Sequence, residues 1–576
     1  MTAAGSTVHA HKDVVAIFYA SFHPTLGNVI DWYAKSMEGS ALPSGLHTVD
    51  EDVIYFTHRG YPVVCVFRRR KTSAEGQRGF RLASLGLLLS PTTRPRPWRH
   101  VTALKALADE IHANAGDEDM DSLEDSLWEP ARSFFKLREA LDNASGWKGW
   151  EDELHDDTST ELSSDADPAL HLAYLLRLLG PSSLTLYKHV LGRRRVLIYT
   201  LPPVERASLL CQAAADMCFA AQAAPDAAQP SLKAKHREGV TVLGMVTLHD
   251  LDKLQRASDE ERGWIACTTD ALFLERPQYY DLVIDLTTAN YLKGIRPTLY
   301  ISHPVPNTVP RGPSHRLSSF RFTWSDVKLW CELDRVLQLD ADAEHSFHTC
   351  SPSSWSCPPP TMLQNKWSDT WRVYEDVCLM CASFWMGIRP RDWTSSSGGA
   401  VRLEGAEDFE LDTAPRPRRP RNTTPRPSGM VVQRLSSSKS ASPTLEEQVI
   451  SERAAEPAVY TDASTTAAEG RSSEDVADWV ALARRRVLTA RSLLQAFDAN
   501  TTFLLSRLAL ALPPIEERPA RVALSPQMLA GFELGPLSAL DARFIDWLAA
   551  DYGDGCSIVV RRGWRDILGF VFGLGG

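Results

Sequence analysis

Apolar runs alternate with polar turn residues over residues 14–90 and mark this segment as strand-rich. Val14–Phe22 is a β-branched and aromatic run, and turn-forming residues separate it from a second run at 29–33. Runs at 53–57 and 61–67 flank an Arg-Gly pair, which predicts a tight hairpin. A fifth run, 81–89, precedes a helical pattern at 101–111. Together these patterns indicate an antiparallel sheet with a helix on one face.

The segment 191–223 predicts a buried strand followed by a helix. The apolar run Val196–Tyr199 follows three arginines and ends shortly before Pro202 and Pro203. Small and apolar residues then recur at helical spacing. Successive side chains of the strand should face opposite sides of the sheet. A phosphate-binding turn needs glycines and free backbone amides, but these prolines remove two amides, so we interpret the unit as scaffold.

Further runs extend the α/β pattern along the chain. We predict strands at 240–246, 264–268 and 280–286, and helices at 169–179, 324–339, 371–385, 476–510 and around 544–548. Acidic residues dominate 109–167 around one predicted helix at 127–141, and such stretches are usually solvated insertions. Residues 392–472 are rich in Ser, Pro and Arg with few aromatics, which predicts a disordered linker.

Composition narrows the classes of protein. The 576 residues are 44% hydrophobic and 23% charged, which is ordinary globular usage and enough for several domains. The net charge of −10 argues against nucleic-acid binding. No run of about 18 apolar residues occurs, and the first residues lack the apolar region of a secretory signal. With ten cysteines and no such signal, we expect reduced thiols and a cytoplasmic protein, with peripheral membrane contact as an addition.

Several sequence blocks follow one another in a distinctive order. They are VVAIFYASFHPTLGNVIDW, GLHTVDEDVIYFTHRGYPVVCVFRR, RGFRLASLGLLLSP, RRRVLIYTLPPV, GWIACTTDALFLERPQYYDLVIDL, SPQMLAGFELGPLSALDARFIDWLAADYG and RRGWRDILGFVFG. In this order they resemble the LCHN-type DENN-domain protein family. The resemblance implies a mixed α/β (α+β) fold. Its expected parts are a longin-like N-terminal lobe (12–115), a partly disordered acidic insert (116–167), a central α/β DENN lobe (168–390), a disordered linker (391–472) and a helical C-terminal part (473–576).

The resemblance also implies a function in membrane traffic. DENN proteins generally act on Rab-type small GTPases as guanine nucleotide exchange factors. Exchange requires no acid, base or nucleophile, because the protein binds the switch regions and stabilises the nucleotide-free state. We therefore expect a GTPase partner, no cofactor and no small-molecule substrate. The alternative is a DENN-fold scaffold or GTPase effector without exchange activity, which would prefer the GTP-bound form.

No catalytic motif competes with this interpretation. The chain lacks G-x-S-x-G, H-E-x-x-H and G-x-x-x-x-G-K-[ST], which argues against a hydrolase or a P-loop NTPase. Cys378 and Cys381 have the spacing of zinc ligands, and four more His and Cys residues precede them: His345, His348, Cys350 and Cys357. Because the two cysteines lie in an apolar helical run, we expect buried thiols and no metal.

Three sets of residues are candidates for contact or modification. Arg193 and Arg194 precede the predicted strand, where they either remain solvated or bind a GTPase or anionic lipid. The C-terminal segment combines arginines with aromatics as membrane-contacting segments do, with docking on the protein's own core as the alternative. Its candidates are Arg561, Arg562, Trp564, Arg565 and Phe570. Ser436 and Ser442 in the linker are candidates for phosphorylation.

Overall fold

A computed structural model describes most of the chain outside the linker. The described residues are 13–23, 27–34, 48–72, 79–115, 125–139, 147, 149–154, 167–223, 232–290, 294–305, 315–345, 473–536 and 538–561. Residues 1–409 and 479–576 form one compact unit. A second unit, 410–478, is described only over 473–478, where a helix begins. The predicted linker and the predicted helix at 371–385 lie outside the described residues.

The N-terminal lobe is an antiparallel sheet, as its pattern predicts. Its strands are β1 (Val14–His23), β2 (Gly27–Ala34), β3 (Glu51–His58), β4 (Tyr61–Lys71) and β5 (Phe80–Leu89), in the order β3-β4-β5-β1-β2. Arg59 and Gly60 form the β3–β4 turn with φ of 50° and 86°, which suits a two-residue hairpin. Helices α1 (Val101–Ala115) and α2 (Glu129–Glu139) cover one face of this sheet.

Part of the acidic insert packs into the core. Helix α3 (Trp150–Glu153) buries Trp150, whose ring lies edge-on to Phe219. Glu153 and Asp167 bind Arg94 at 3.0 and 3.4 Å, and Arg94 also binds Asp216 at 2.8 Å. The expectation of a solvated insert is therefore wrong for the residues around α3. Their aromatic rings and paired charges outweigh the local acidity that suggested solvation.

The central lobe begins with α4 (Leu172–Leu179) and α5 (Ser183–Leu191), followed by a parallel sheet. Its strands are β6 (Arg195–Tyr199), β7 (Thr241–Met245), β8 (Trp264–Thr268) and β9 (Leu282–Asp285), with α6 (Glu205–Ala223) after β6 and α7 (Leu251–Asp259) after β7. Two antiparallel strands that the sequence did not predict extend the sheet, β10 (Thr298–Pro304) and β11 (His315–Phe320).

One residue pair joins the two lobes into a single eleven-stranded sheet. Phe56 of β3 pairs with Gly244 of β7, giving the order β11-β10-β9-β6-β8-β7-β3-β4-β5-β1-β2. Gly244 has a φ of 67°, and a Cβ there would lie 2.3 Å from the carbonyl oxygen of Tyr55. The position therefore requires glycine. Thr57 strengthens the joint, because its hydroxyl donates to the carbonyls of Val242 and Leu243 at 3.4 and 3.3 Å.

The C-terminal elements pack on the central lobe. They are α8 (Asp326–His345), α9 (Ser473–Ala511), β12 (Arg521–Leu524), α10 (Pro526–Ala530), α11 (Ala539–Tyr552) and β13 (Ser557–Val560). A buried lysine of α5, Lys188, binds Asp326 of α8 at 2.6 Å and Asp541 of α11 at 2.5 Å. Three helices distant in sequence are therefore held by one cation. The mixed α/β fold class is confirmed.

Candidate functional site

The turn between β6 and α6 contains a carboxylate where an α/β nucleotide site would bind phosphate. Asp52 of β3 is buried and accepts hydrogen bonds from the amides of Val204 and Glu205 at 2.7 and 3.2 Å. Burial raises the pKa of Asp52, and these amide bonds oppose that shift. The first amides of α6 thus bind the protein's own side chain. This agrees with the interpretation of the double-proline turn as scaffold.

Strand directions define one long edge of the sheet. Strands β6 to β9 run parallel to one another, and β7 is antiparallel to β3. From β3 through β4, β5 and β1 each neighbouring pair is antiparallel, so β4 and β1 run in the same direction as β7. The ends of β1, β4 and β6 to β9 therefore lie at one edge, which we call the carboxyl edge. In open α/β sheets, ligands bind at this edge.

Four large apolar side chains lie exposed at the carboxyl edge. Phe22 and Phe80, in the N-terminal lobe, are 43% and 37% exposed. Leu201 and Leu272, in the central lobe, are 58% and 50% exposed. They form two pairs along the edge, Leu201 with Leu272 after the neighbouring strands β6 and β8, and Phe22 with Phe80 on the neighbouring strands β1 and β5. Strands β7, β3 and β4 separate the two pairs, so each pair is a candidate surface of its own.

The loops that carry Leu201 and Leu272 are fixed by hydrogen bonds. Beside Leu201, the amide of Thr200 donates to the carbonyl of Thr268 at 2.9 Å, and beside Leu272, Asp270 accepts from the amide of Leu248 at 3.1 Å. In the neighbouring loop after β9, the hydroxyl of Thr287 donates to Asp285 at 2.6 Å. Burial, followed by the charges of Asp285 and Asp270, raises the pKa of Tyr199, so its hydroxyl keeps its proton at neutral pH. The site presents a preformed binding surface of apolar side chains beside carboxylates, and these groups are already engaged in structural bonds.

The three arginines before β6 lie at the opposite edge and bind within the chain. Arg193 is buried, and its Nε donates to Asp551 of α11 at 2.6 Å. The guanidinium of Arg194 lies 5.0 Å from the ring centroid of Trp547, and burial lowers its pKa. Arg195 binds Asp281 through two nitrogens at 2.8 and 3.1 Å.

The expectation that these arginines remain solvated is therefore wrong for Arg193. It failed because their acceptors come from distant parts of the chain, and α11 in particular lies more than 300 residues downstream. A GTPase or lipid contact at Arg193 and Arg194 stays a prediction.

The remaining candidates lie mostly outside the described residues. Arg561 is exposed after β13, and its amide donates to Leu524 at 2.8 Å. The candidates outside the described residues are Arg562, Trp564, Arg565, Phe570, Ser436, Ser442, His348, Cys350, Cys357, Cys378 and Cys381. Over the described ranges, no group of three or more His, Cys, Asp or Glu side chains could hold a metal. None of the described helices has both the length and the apolar character needed to cross a bilayer.

Sequence reasoning missed Asp52, Leu201 and Leu272. Asp52 is the second residue of an ordinary strand, β3, and the amide of Val204 that it binds is 152 residues away, so no local signal marks it. Leu201 and Leu272 are visible in the sequence as apolar residues near strand ends. Their exposure is not, because it depends on which neighbouring elements cover them.

Comparisons with known proteins show which family this chain resembles. The sequence profile of the family described as DENN domain-containing protein 11 matches residues 17–294, which run from within β1 to shortly after β9. The match confirms the resemblance to DENN-domain proteins that the sequence blocks indicated. DENN domain-containing protein 11 of Xenopus laevis is 24% identical over 284 residues, covering 47% of this chain and 59% of that protein. The Rattus norvegicus protein of the same name is 24% identical over 285 residues, covering 47% and 57%.

A more distant organism has a similar protein. Uncharacterized protein ANR2 of Saccharomyces cerevisiae is 25% identical over 316 residues, covering 49% of this chain and 59% of its own length. The alignments therefore span less than two thirds of each of these relatives. The matched profile ends shortly after β9, before β10 and β11 of the same sheet.

Proposed function

We propose that this protein binds a Rab-type small GTPase and acts as its guanine nucleotide exchange factor in membrane traffic. The observation that carries the proposal is the DENN-domain match over 17–294, the part of the chain in which one sheet unites two lobes. Exchange requires a stable surface that distorts the GTPase, and a continuous sheet provides such a scaffold. The longin-like character of the N-terminal lobe belongs to the same proposal.

The central part of the carboxyl edge is the GTPase surface we propose. Leu201 and Leu272 are exposed beside loops fixed by Asp270 and Asp285, so they can contact a partner without a costly ordering of the backbone. Apolar anchors near the centre of an interface typically contribute most of the binding energy. Acidic neighbours would favour a partner with basic residues beside its own apolar contacts.

A nucleotide-release screen over a panel of Rab GTPases tests the function. The purified full chain should accelerate GDP release from at least one member. Leu201→Glu and Leu272→Glu should each slow the accelerated release about tenfold or more, because a charge replaces an apolar anchor. Leu510→Glu is the matched control, since Leu510 is 79% exposed on α9, outside the matched region.

The nucleotide dependence of binding separates exchange factor from effector. An exchange factor binds the nucleotide-free GTPase most tightly, whereas an effector prefers the GTP-bound form. Tight binding to a GTP-bound Rab without accelerated release would contradict exchange activity and support the effector alternative. Equal loss of release activity in all three leucine variants would contradict the assignment of the surface.

A further inference from the structure

We propose that the N-terminal end of the carboxyl edge is a contact surface for anionic membranes. This surface, the aromatic–basic corner, consists of Phe22, Arg69, Arg70, Lys71 and Phe80. It lies where β1 and β4 end and β5 begins. The proposal concerns lipid rather than GTPase, and it does not involve the C-terminal segment.

Strand register places the exposed rings of the corner on one face. Lys71 pairs directly with Phe80, so their side chains point to the same side of the sheet. Ala20 of β1 pairs with Ser84 of β5, so these two side chains point to the same side of the sheet. Phe22 lies two residues after Ala20, and Phe80 lies four residues before Ser84. Because strand side chains alternate, both phenylalanines share that face. The guanidinium of Arg69 lies 3.7 Å from the ring centroid of Phe80. Two exposed aromatic rings and two cations therefore occupy one small area.

Cations outnumber carboxylates at the corner. Among the described residues, the corner has three cations, Arg69, Arg70 and Lys71, and their carboxylate partners are Asp50 and Asp109. Three minus two leaves a local charge of +1 in a chain whose net charge is −10. The rest of the acidic surface would be repelled by anionic lipid, so a local excess of cations also fixes the orientation of approach.

The ion pairs at the corner are open to exchange with lipid headgroups. Arg69 lies 3.4 Å from Asp50 and Arg70 lies 3.7 Å from Asp109, and the side chains of Asp50 and Asp109 are 87% and 57% exposed. Such exposed pairs contribute little to stability. Lys71 is exposed, and no ion pair reaches it among the described residues.

Size favours a bilayer over a protein partner. A stable protein interface buries about 800 Å² on each partner, which two phenyl rings and three cations do not supply. A bilayer requires no shape match: aromatic rings enter the headgroup region, and each nearby Lys or Arg adds about 1 kcal/mol of attraction to an anionic surface.

Co-flotation of the full-length protein with vesicles tests the proposal without any GTPase. The protein should bind vesicles of phosphatidylcholine and phosphatidylserine and should not bind vesicles of phosphatidylcholine alone. Lys71→Glu should lower the bound fraction at least about fivefold, the equivalent of one lost cation, and added salt should remove binding. Phe80→Ser should weaken binding at every salt concentration at which the unchanged protein still binds.

Lys233→Glu is the matched control, because the substitution makes the same charge change at another exposed lysine, which pairs with Asp554. It should bind vesicles as the unchanged protein does, and thermal melting should show that Lys71→Glu remains folded. Equal binding by Lys71→Glu and Lys233→Glu would overturn the proposal, as would equal binding to neutral vesicles. Loss of GTPase binding with intact vesicle binding in Lys71→Glu would assign the corner to a protein partner instead and would also overturn it.

Discussion

Replacing Arg193 by alanine tests whether one buried ion pair holds α11 against the central lobe. Arg193 lies just before β6, and Asp551 lies in the last turn of α11. Their side chains are 2% and 7% exposed, and the N–O distance is 2.6 Å. Burial raises the pKa of Asp551, and the charge of Arg193 opposes that shift. Without the cation, a carboxylate would remain charged in a poorly solvated site.

The expected cost of Arg193→Ala is large. Removing one partner of a buried pair typically costs about 3–5 kcal/mol, because the remaining charge has lost its compensation. A typical domain has about 5–15 kcal/mol of stability, so the variant should unfold at much lower urea concentration. Arg194→Ala is the control in the adjacent position. It removes a cation–π contact with Trp547 and a hydrogen bond to the carbonyl of Gly192, for which about 1–2 kcal/mol is expected.

Urea unfolding followed by tryptophan fluorescence measures both variants, and pH provides a second reading. In Arg193→Ala the pKa of Asp551 should rise further above its unfolded value. The folded state then takes up a proton before the unfolded state as pH falls, so the deficit should shrink as pH falls toward the ordinary pKa of an aspartate. An Arg193→Ala cost no larger than that of Arg194→Ala, or a deficit independent of pH, would refute the reasoning.

Three further predictions concern the sheet and α1. Ile198→Ala should lower the free energy of unfolding, measured in urea, by about 2–5 kcal/mol, because Ile198 is 1% exposed in the core. Leu201→Ala is the exposed control, and an equal loss in both variants would contradict the prediction. Gly244→Ala should lower the melting temperature more than Gly60→Ala. Both glycines have positive φ, but only at Gly244 would a Cβ lie 2.3 Å from the carbonyl oxygen of Tyr55. Similar melting of the two variants would contradict the close contact of β3 and β7 at this position. Because the pKa of His112 is lowered in the folded state, the unfolded state binds more protons as pH falls. The free energy of unfolding should therefore fall by up to about 3 kcal/mol from about pH 6.5 to about pH 4. His112→Gln should remove this part of the pH dependence.

Local pattern was sufficient where a segment buries one regular face. The predicted β1, β3, β4 and β5 are strands, and the Arg59-Gly60 turn joins two of them. Within β6, Val196 and Ile198 join one core cluster while Leu197 and Tyr199 join another, as alternation requires. Strands β10 and β11 were missed. Strand β11, with the sequence HRLSSF, is a partly exposed edge strand without a clear apolar period.

The sequence by itself determined most of the elements, the fold class and the resemblance to DENN-domain proteins, because periodicity and residue blocks are local properties of the chain. Only the tertiary structure decided what the polar residues do. Arg193 and Arg194 are adjacent and chemically identical, yet one is buried against Asp551 and the other lies over Trp547. Asp52 binds amides 152 residues away, and Gly244 joins two lobes through one pair. Ion pairs and hydrogen bonds of this kind join residues that are distant in sequence, so they follow from the packing of lobes rather than from any local pattern.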